Sequence, residues 1–86
     1  MIDEKRIRWR CRRGMKELDV MLERYLASGY SALREESKAD FARLLDALDP
    51  DLFAWLSGNG LPEDAGLRTV VMHIRGVLGA AGSLSA

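Results

Sequence analysis

A single histidine, a single cysteine and a run of arginines that stops at a glycine are the side chains of this 86-residue chain that chemistry would draw on. Cys11 stands among Arg8, Arg10, Arg12 and Arg13, and positive charge at that density lowers a thiol's pKa and makes it a nucleophile. Its spacing points the other way. Cys11 shares the Ile7 side of a helix, the side such a helix would bury, and there it reads as a structural thiol. His73 lies between Met72 and Ile74, one position off an apolar stripe, where it reads as a boundary residue rather than a base. No serine or cysteine is spaced to pair with it as an activated nucleophile. No two cysteines or histidines have metal-ligand spacing. The expectation is no catalytic residue, no metal site, no tightly bound cofactor, and no enzyme.

What remains is the stretch Arg8-Trp9-Arg10-Cys11-Arg12-Arg13-Gly14-Met15-Lys16-Glu17-Leu18-Asp19. Gly14 reads as a corner between two helices, with a guanidinium on one side and a carboxylate on the other. Backbone without a side chain can be approached closely by another molecule. Arg13 carries a planar fork suited to a carboxylate or to carbonyls on a partner. Arg6 and Trp9 share a helix face with Arg13, and aromatic residues beside arginine are enriched in binding hot spots. A tryptophan in a small bundle also serves the core, and both readings of Trp9 stand. Glu17 likewise has two: with Gly14 as N-cap it could reach back to the cap N–H, or it could face a partner. Met15 is either an adaptable contact or the first residue of a core stripe. The candidate docking surface is therefore Arg6, Trp9, Arg13, Gly14, Met15, Lys16, Glu17 and Asp19.

The elements that must position these residues are helical throughout. A first helix is expected from Glu4 to Arg12, capped by Asp3 and ended by Gly14. A second runs from Met15 to Ala27, with Met15, Leu18, Leu22, Tyr25 and Leu26 in one stripe, and Ser28-Gly29 closes it. The third opens either on Glu35 and Glu36, which suit the positive end of a helix, or on a Ser37 cap. It carries Phe41, Leu44, Leu45 and Leu48 at core-facing spacing. A fourth starts with Asp49 as cap and Pro50 as first helical residue, buries Trp55 and ends at Gly58-Asn59-Gly60. A fifth starts at Pro62-Glu63-Asp64 and carries Leu67, Val70, Val71, Ile74, Val77 and Leu78. The fold class is all-α, a compact bundle of about five short helices. It forms one domain over 1–78, followed by an uncharged glycine-rich tail, 79–86, expected to fray. Gly76, Gly79 and Gly82 do not make a nucleotide loop, because no strand precedes them.

Composition narrows the classes further. With 48% apolar and 30% charged residues the chain is ordinary globular protein rather than disordered. At this length it buries only about 60–65% of its unfolded surface, which leaves little volume for an enclosed active site beside a core. No apolar run is long enough to span a bilayer, and neither a secretory leader nor a cleavable mitochondrial presequence is expected. The lone cysteine suits a reducing compartment, and the cytoplasm of a bacterium is the expected location. Net charge is zero but lopsided. Residues 1–16 carry seven basic side chains against Asp3 and Glu4, whereas residues 17–86 carry six basic and eleven acidic ones. Such asymmetry points to a partner, protein or nucleic acid, with an acidic or polyanionic surface that meets one end of the molecule.

The corner Arg13-Gly14-Met15-Lys16-Glu17 resembles the Arg-Gly-x-x-Glu signature of the SdhE-type flavinylation factors, known in eukaryotes as succinate dehydrogenase assembly factor 2. A second block, Leu48-Asp49-Pro50-Asp51-Leu52-Phe53-Ala54-Trp55-Leu56, is similar to the family's Asp-Pro-Asp-Leu-Phe-x-Trp-Leu segment. With Trp9 and Cys11, the resemblance runs from about Ile7 to Ile74. It implies a small helical factor that binds the flavoprotein subunit of succinate dehydrogenase or fumarate reductase. There it assists covalent attachment of FAD to a histidine of that subunit. FAD is then handled through the partner.

Another reading is an arginine-rich module for nucleic acid, or an antitoxin-type regulator, a label some relatives have carried. The charge asymmetry favours it, but the acidic remainder opposes a long contact with DNA, and no recognition helix or stacking platform is present. Nucleic acid is not the expected partner. A small mutase gripping a dicarboxylate with arginines would need long helices, which the breaks at Gly14, Gly29, Pro50 and Pro62 interrupt.

Overall fold

Each helix begins and ends where backbone hydrogen bonding and charge allow it. The computed structural model describes residues 3–85, with side chains for residues 3–79. The first helix, α1 (Glu4–Arg10), starts where the Asp3 carboxylate accepts from the Lys5 N–H at 3.0 Å. Glu4 lies in its first turn and Arg8 and Arg10 in its last, each at the end of the helix dipole that favours its charge. It stops shorter than the expected Arg12, because the Cys11 N–H is shared between the carbonyls of Ile7 and Arg8, tightening the last turn. Gly14 then turns the chain at φ +86°, a conformation in which a Cβ is strained.

Helix α2 (Lys16–Ser28) buries Leu18, Leu22 and Tyr25 completely. Its N-cap is Met15 rather than Gly14. At its other end Gly29 permits close approach: a Cβ there would lie 2.7 Å from the Tyr25 ring and 2.9 Å from Val77. A single 3-10 turn, Tyr30–Ala32, leads to α3 (Glu35–Leu44). Of the two starts considered, the one on Glu35 and Glu36 is realised, and Arg34 occupies the cap position without a side-chain bond.

Helix α4 (Asp49–Leu56) takes Leu48 as N-cap, so Asp49 is its first residue rather than its cap. Helix α5 (Ala65–Ser85) starts after the expected Pro62. The Asp64 carboxylate accepts from the Leu67 N–H at 3.0 Å and is bridged by Arg43, while Arg68 bonds the carbonyls of Pro62 and Glu63 and holds them off the helix. Among the described residues there are five α-helices and no strand, the all-α bundle that the hydrophobic spacing predicts. The backbone continues α5 to Ser85, through most of the stretch 79–86 that the sequence sets apart as a tail, and the side chains beyond Gly79 lie outside the described residues. No helix of the described residues is long and apolar enough to cross a membrane.

The core gathers one stripe from each element: Ile7 and Cys11, then Leu18, Leu22 and Tyr25, then Phe41, Leu44 and Leu45, then Leu52 and Leu56, with Val70, Val71 and Ile74 from α5. Helix α5 packs on α2, α3 and α4. Tyr25 and Tyr30 set their rings 5.5 and 5.2 Å from that of Phe41, in tilted geometry that suits aromatic quadrupoles. His73 lies at the edge of this core, as expected of a boundary residue, with Nδ1 2.7 Å from the Tyr25 hydroxyl. Trp55 is half-buried against the core margin, and Leu67, Val77 and Leu78 pack there as well. Leu48 departs from its stripe and is 71% exposed.

Candidate functional site

The corner between α1 and α2 is fixed from inside by Arg13. Its Nε donates to Asp49 Oδ1 at 2.7 Å, its Nη1 to the carbonyls of Leu45 at 2.7 Å and Arg10 at 3.3 Å, and its Nη2 to that of Ala47 at 2.6 Å. Leu45 and Ala47 follow the C-terminus of α3, where carbonyls lack helical donors and the dipole is negative. A planar guanidinium meets several such acceptors at once, which a point charge cannot. Beside it Arg10 and Asp46 form an ion pair. The Arg13 side chain is only 14% exposed. The expectation that Arg13 offers its fork to a partner is therefore corrected: the fork is spent within the fold, holding α1 against the junction of α3 and α4.

Asp19 is also turned inward, accepting from the Arg13 N–H at 2.7 Å. The bond that the sequence suggests, from the Gly14 N–H to Glu17, is absent among the described residues; Asp19 takes the N–H one residue earlier, that of Arg13. With Met15 as cap, Glu17 is the second helical residue rather than the third and stands out of range. Glu17 and Lys16 are exposed in the first turn of α2, and among the described residues the Glu17 carboxylate makes no hydrogen bond. Gly14 is exposed too, and an added Cβ would meet nothing within 4 Å. Met15 is half-buried and packed on the core, so its core role is the one realised.

Trp9 is 75% exposed, which settles its two readings against the core. With Lys5, Arg6 and Arg10 it lines a shallow depression on α1. A second, more polar hollow lies where Gly14 meets Arg8, Arg12, Asp19 and Glu23. The sequence residues thus divide. Arg6, Trp9, Gly14, Lys16 and Glu17 face outward, while Arg13, Asp19 and Met15 set the corner that carries them. The sequence reads Leu48 as core and Asp49 as a helix cap and gives Asp46 no role, whereas in the fold Asp46 and Asp49 pair with Arg10 and Arg13 and Leu48 is exposed. For Leu48 the signal was present: a chain that restarts a helix at Asp49-Pro50 must leave the previous one first, so residue 48 cannot keep its helical face.

Cys11 lines the floor of the second hollow and is buried, as its place beside Ile7 predicts. Burial pushes its thiol from the usual 9.0 up to about 11, outweighing the opposing pull of Arg13 and Arg10. The folded state thus favours the neutral thiol. That contribution to stability is complete below pH 9 and is lost as pH rises toward 11. Denaturant midpoints from pH 8 to 11 should fall more steeply for the parent than for Cys11→Ala. At pH 8 iodoacetamide should label the native thiol far more slowly than the unfolded one.

These features describe a small all-helical protein with an exposed glycine corner, an exposed aromatic residue among arginines, and a core that occupies the interior. Its sequence matches the model of the family described as flavinator of succinate dehydrogenase over residues 5–78. It is 49% identical over 69 residues to the FAD assembly factor SdhE of Idiomarina loihiensis, covering 80% of this chain and 77% of that protein. To the FAD assembly factor SdhE of a Serratia species it is 47% identical over 75 residues, covering 86% and 85%. Against the one from Vibrio cholerae the figures are 47% over 69 residues and 80% of each chain. The chain belongs to the SdhE family of FAD assembly factors. Its relatives are named for assembly and not for a catalysed reaction, in agreement with the reading that it is no enzyme.

Proposed function

We propose that this chain binds the flavoprotein subunit of succinate dehydrogenase, with that of fumarate reductase as a second client, and promotes covalent attachment of FAD there. The observation that carries this reading, beside family membership, is the exposed Glu17 next to an open Gly14 on a corner locked from within. A carboxylate without a hydrogen-bond partner among the described residues, on a helix turn tied back to Arg13 through Asp19, docks at small entropic cost. The factor supplies no flavin chemistry. It binds the conformer of the subunit in which acceptor side chain and FAD are aligned, and shifts its population by the difference in affinity between conformers. FAD is the partner's cofactor.

The test combines purified chain, the apo flavoprotein subunit and FAD, and follows covalent flavin fluorescence of the subunit after denaturation. The chain should accelerate attachment and should bind the subunit at a rate that falls as salt rises, because rim arginines act on encounter. Calorimetry with FAD alone should show no binding at micromolar concentration. Attachment at an unchanged rate, or on-rates indifferent to ionic strength, would refute the reading, and so would tight binding of nucleic acid in place of the subunit.

A further inference from the structure

We propose that Leu48 is a contact residue for the flavoprotein subunit, so that the docking face comprises two chain segments, α1 with its corner and the turn at 46–49. The inference rests on the proposed function and extends it to a residue outside the signature. Trp9 and Leu48 are the most exposed large hydrophobic side chains among the described residues, at 75% and 71%. Leu48 also breaks a local rule. It holds the N-cap of α4 in extended backbone, φ −70° and ψ 149°, with no side-chain cap bond. Serine, threonine, aspartate or asparagine would satisfy a helix N–H there, and leucine cannot. A residue that loses both a cap and its burial gains nothing locally, and such sites are where function is expected to override folding preference.

Leu48 is nevertheless held firmly. Arg13 bonds the carbonyl of Ala47 and the carboxylate of Asp49 on either side of it, and the Leu48 carbonyl accepts from the Leu52 N–H at 2.9 Å. A side chain displayed from so constrained a backbone loses little freedom on binding. Continuity with the α1 segment comes through Arg10. It lines the Trp9 depression and pairs with Asp46, two residues before Leu48. Arg13 is a positioning residue for both segments. Around them lie Arg6, Arg8 and Arg12, all exposed. The complementary surface on the subunit is then an apolar patch that receives Trp9 and Leu48, rimmed by carboxylates.

Leu48→Ser separates this role from a structural one, because the two make opposite demands. Serine supplies the missing cap, so the melting temperature should rise by about 4 °C. Affinity for the flavoprotein subunit, measured by calorimetry, should weaken at least about tenfold. Trp9→Ala, assayed in parallel, reports on the α1 segment. If the parent binds and Trp9→Ala weakens binding, yet Leu48→Ser binds within about twofold of the parent, the inference is overturned and the proposed function stands. If the parent does not bind the subunit, both fall together.

Discussion

Arg13→Ala should destabilise the fold by about 2–4 kcal/mol, the largest effect expected of any surface-adjacent substitution in this chain. It removes the donors that serve the carbonyls of Leu45 and Ala47 and the carboxylate of Asp49, and leaves those acceptors half-buried without partners. The cost comes from the unpaired acceptors more than from the lost bonds. For a domain of this size the melting temperature should fall by at least about 10 °C. Arg13→Lys should recover only part of the loss, since one ammonium cannot span acceptors that a planar fork reaches together. Thermal unfolding followed by circular dichroism decides the matter. If Arg13→Ala melts within about 2 °C of the parent while flavinylation is lost, Arg13 is a partner contact and its bonds inside the fold are incidental.

Glu17→Ala should do the reverse, abolishing or strongly reducing flavinylation with little cost to the fold, and Gly14→Arg should lose far more flavinylation than its backbone strain accounts for. The Glu17 carboxylate has no hydrogen-bond partner among the described residues, so its removal forfeits only a favourable position at a helix N-terminus, about 0.5 kcal/mol. At Gly14 any side chain must adopt φ +86°, a strain of about 1–2 kcal/mol, but it meets no neighbour within 4 Å. Gly14→Ala carries the same strain without the bulk. It should therefore lose stability as Gly14→Arg does while retaining more flavinylation. Leu44→Ala gives the reference line: Leu44 is fully buried, and its truncation should cost about 2–5 kcal/mol with no direct effect on the corner. Covalent flavin fluorescence of the subunit in cells carrying each variant is compared with the melting temperature of each purified chain. Should Glu17→Ala and Gly14→Arg fall on the line that Leu44→Ala defines, the signature is structural and the docking reading is lost.

The core was legible because burial follows helical spacing. Leu18, Leu22, Tyr25, Phe41, Leu44, Val70, Val71 and Ile74 recur at helical intervals, and every one of them is buried. Helix starts were legible to within a few residues, since caps and prolines act locally, whereas α5 runs on to Ser85 past the expected end at 78. The small errors at the starts had large consequences. With Met15 rather than Gly14 as cap, Glu17 loses the reach-back position and stands exposed, while Asp19 binds the Arg13 N–H. One residue of shift at Leu48–Asp49 put a leucine in water and left the Asp49 carboxylate to Arg13.

What the sequence determined by itself, then, is whatever depends on neighbours within a helical turn or two. That covers the all-α class, the buried faces, the glycine corner, the lopsided charge and the resemblance that names the family. The tertiary structure alone decided which polar side chains face outward. Arg13 and Arg10 find their acceptors 32 to 36 residues away, at the end of α3 and the start of α4. A guanidinium has the same composition whether it meets a partner's carboxylate or its own chain's carbonyls. Only the packing of α1 against the α3–α4 junction brings those carbonyls within reach, and so leaves Trp9, Gly14 and Glu17, rather than Arg13, on the exposed surface.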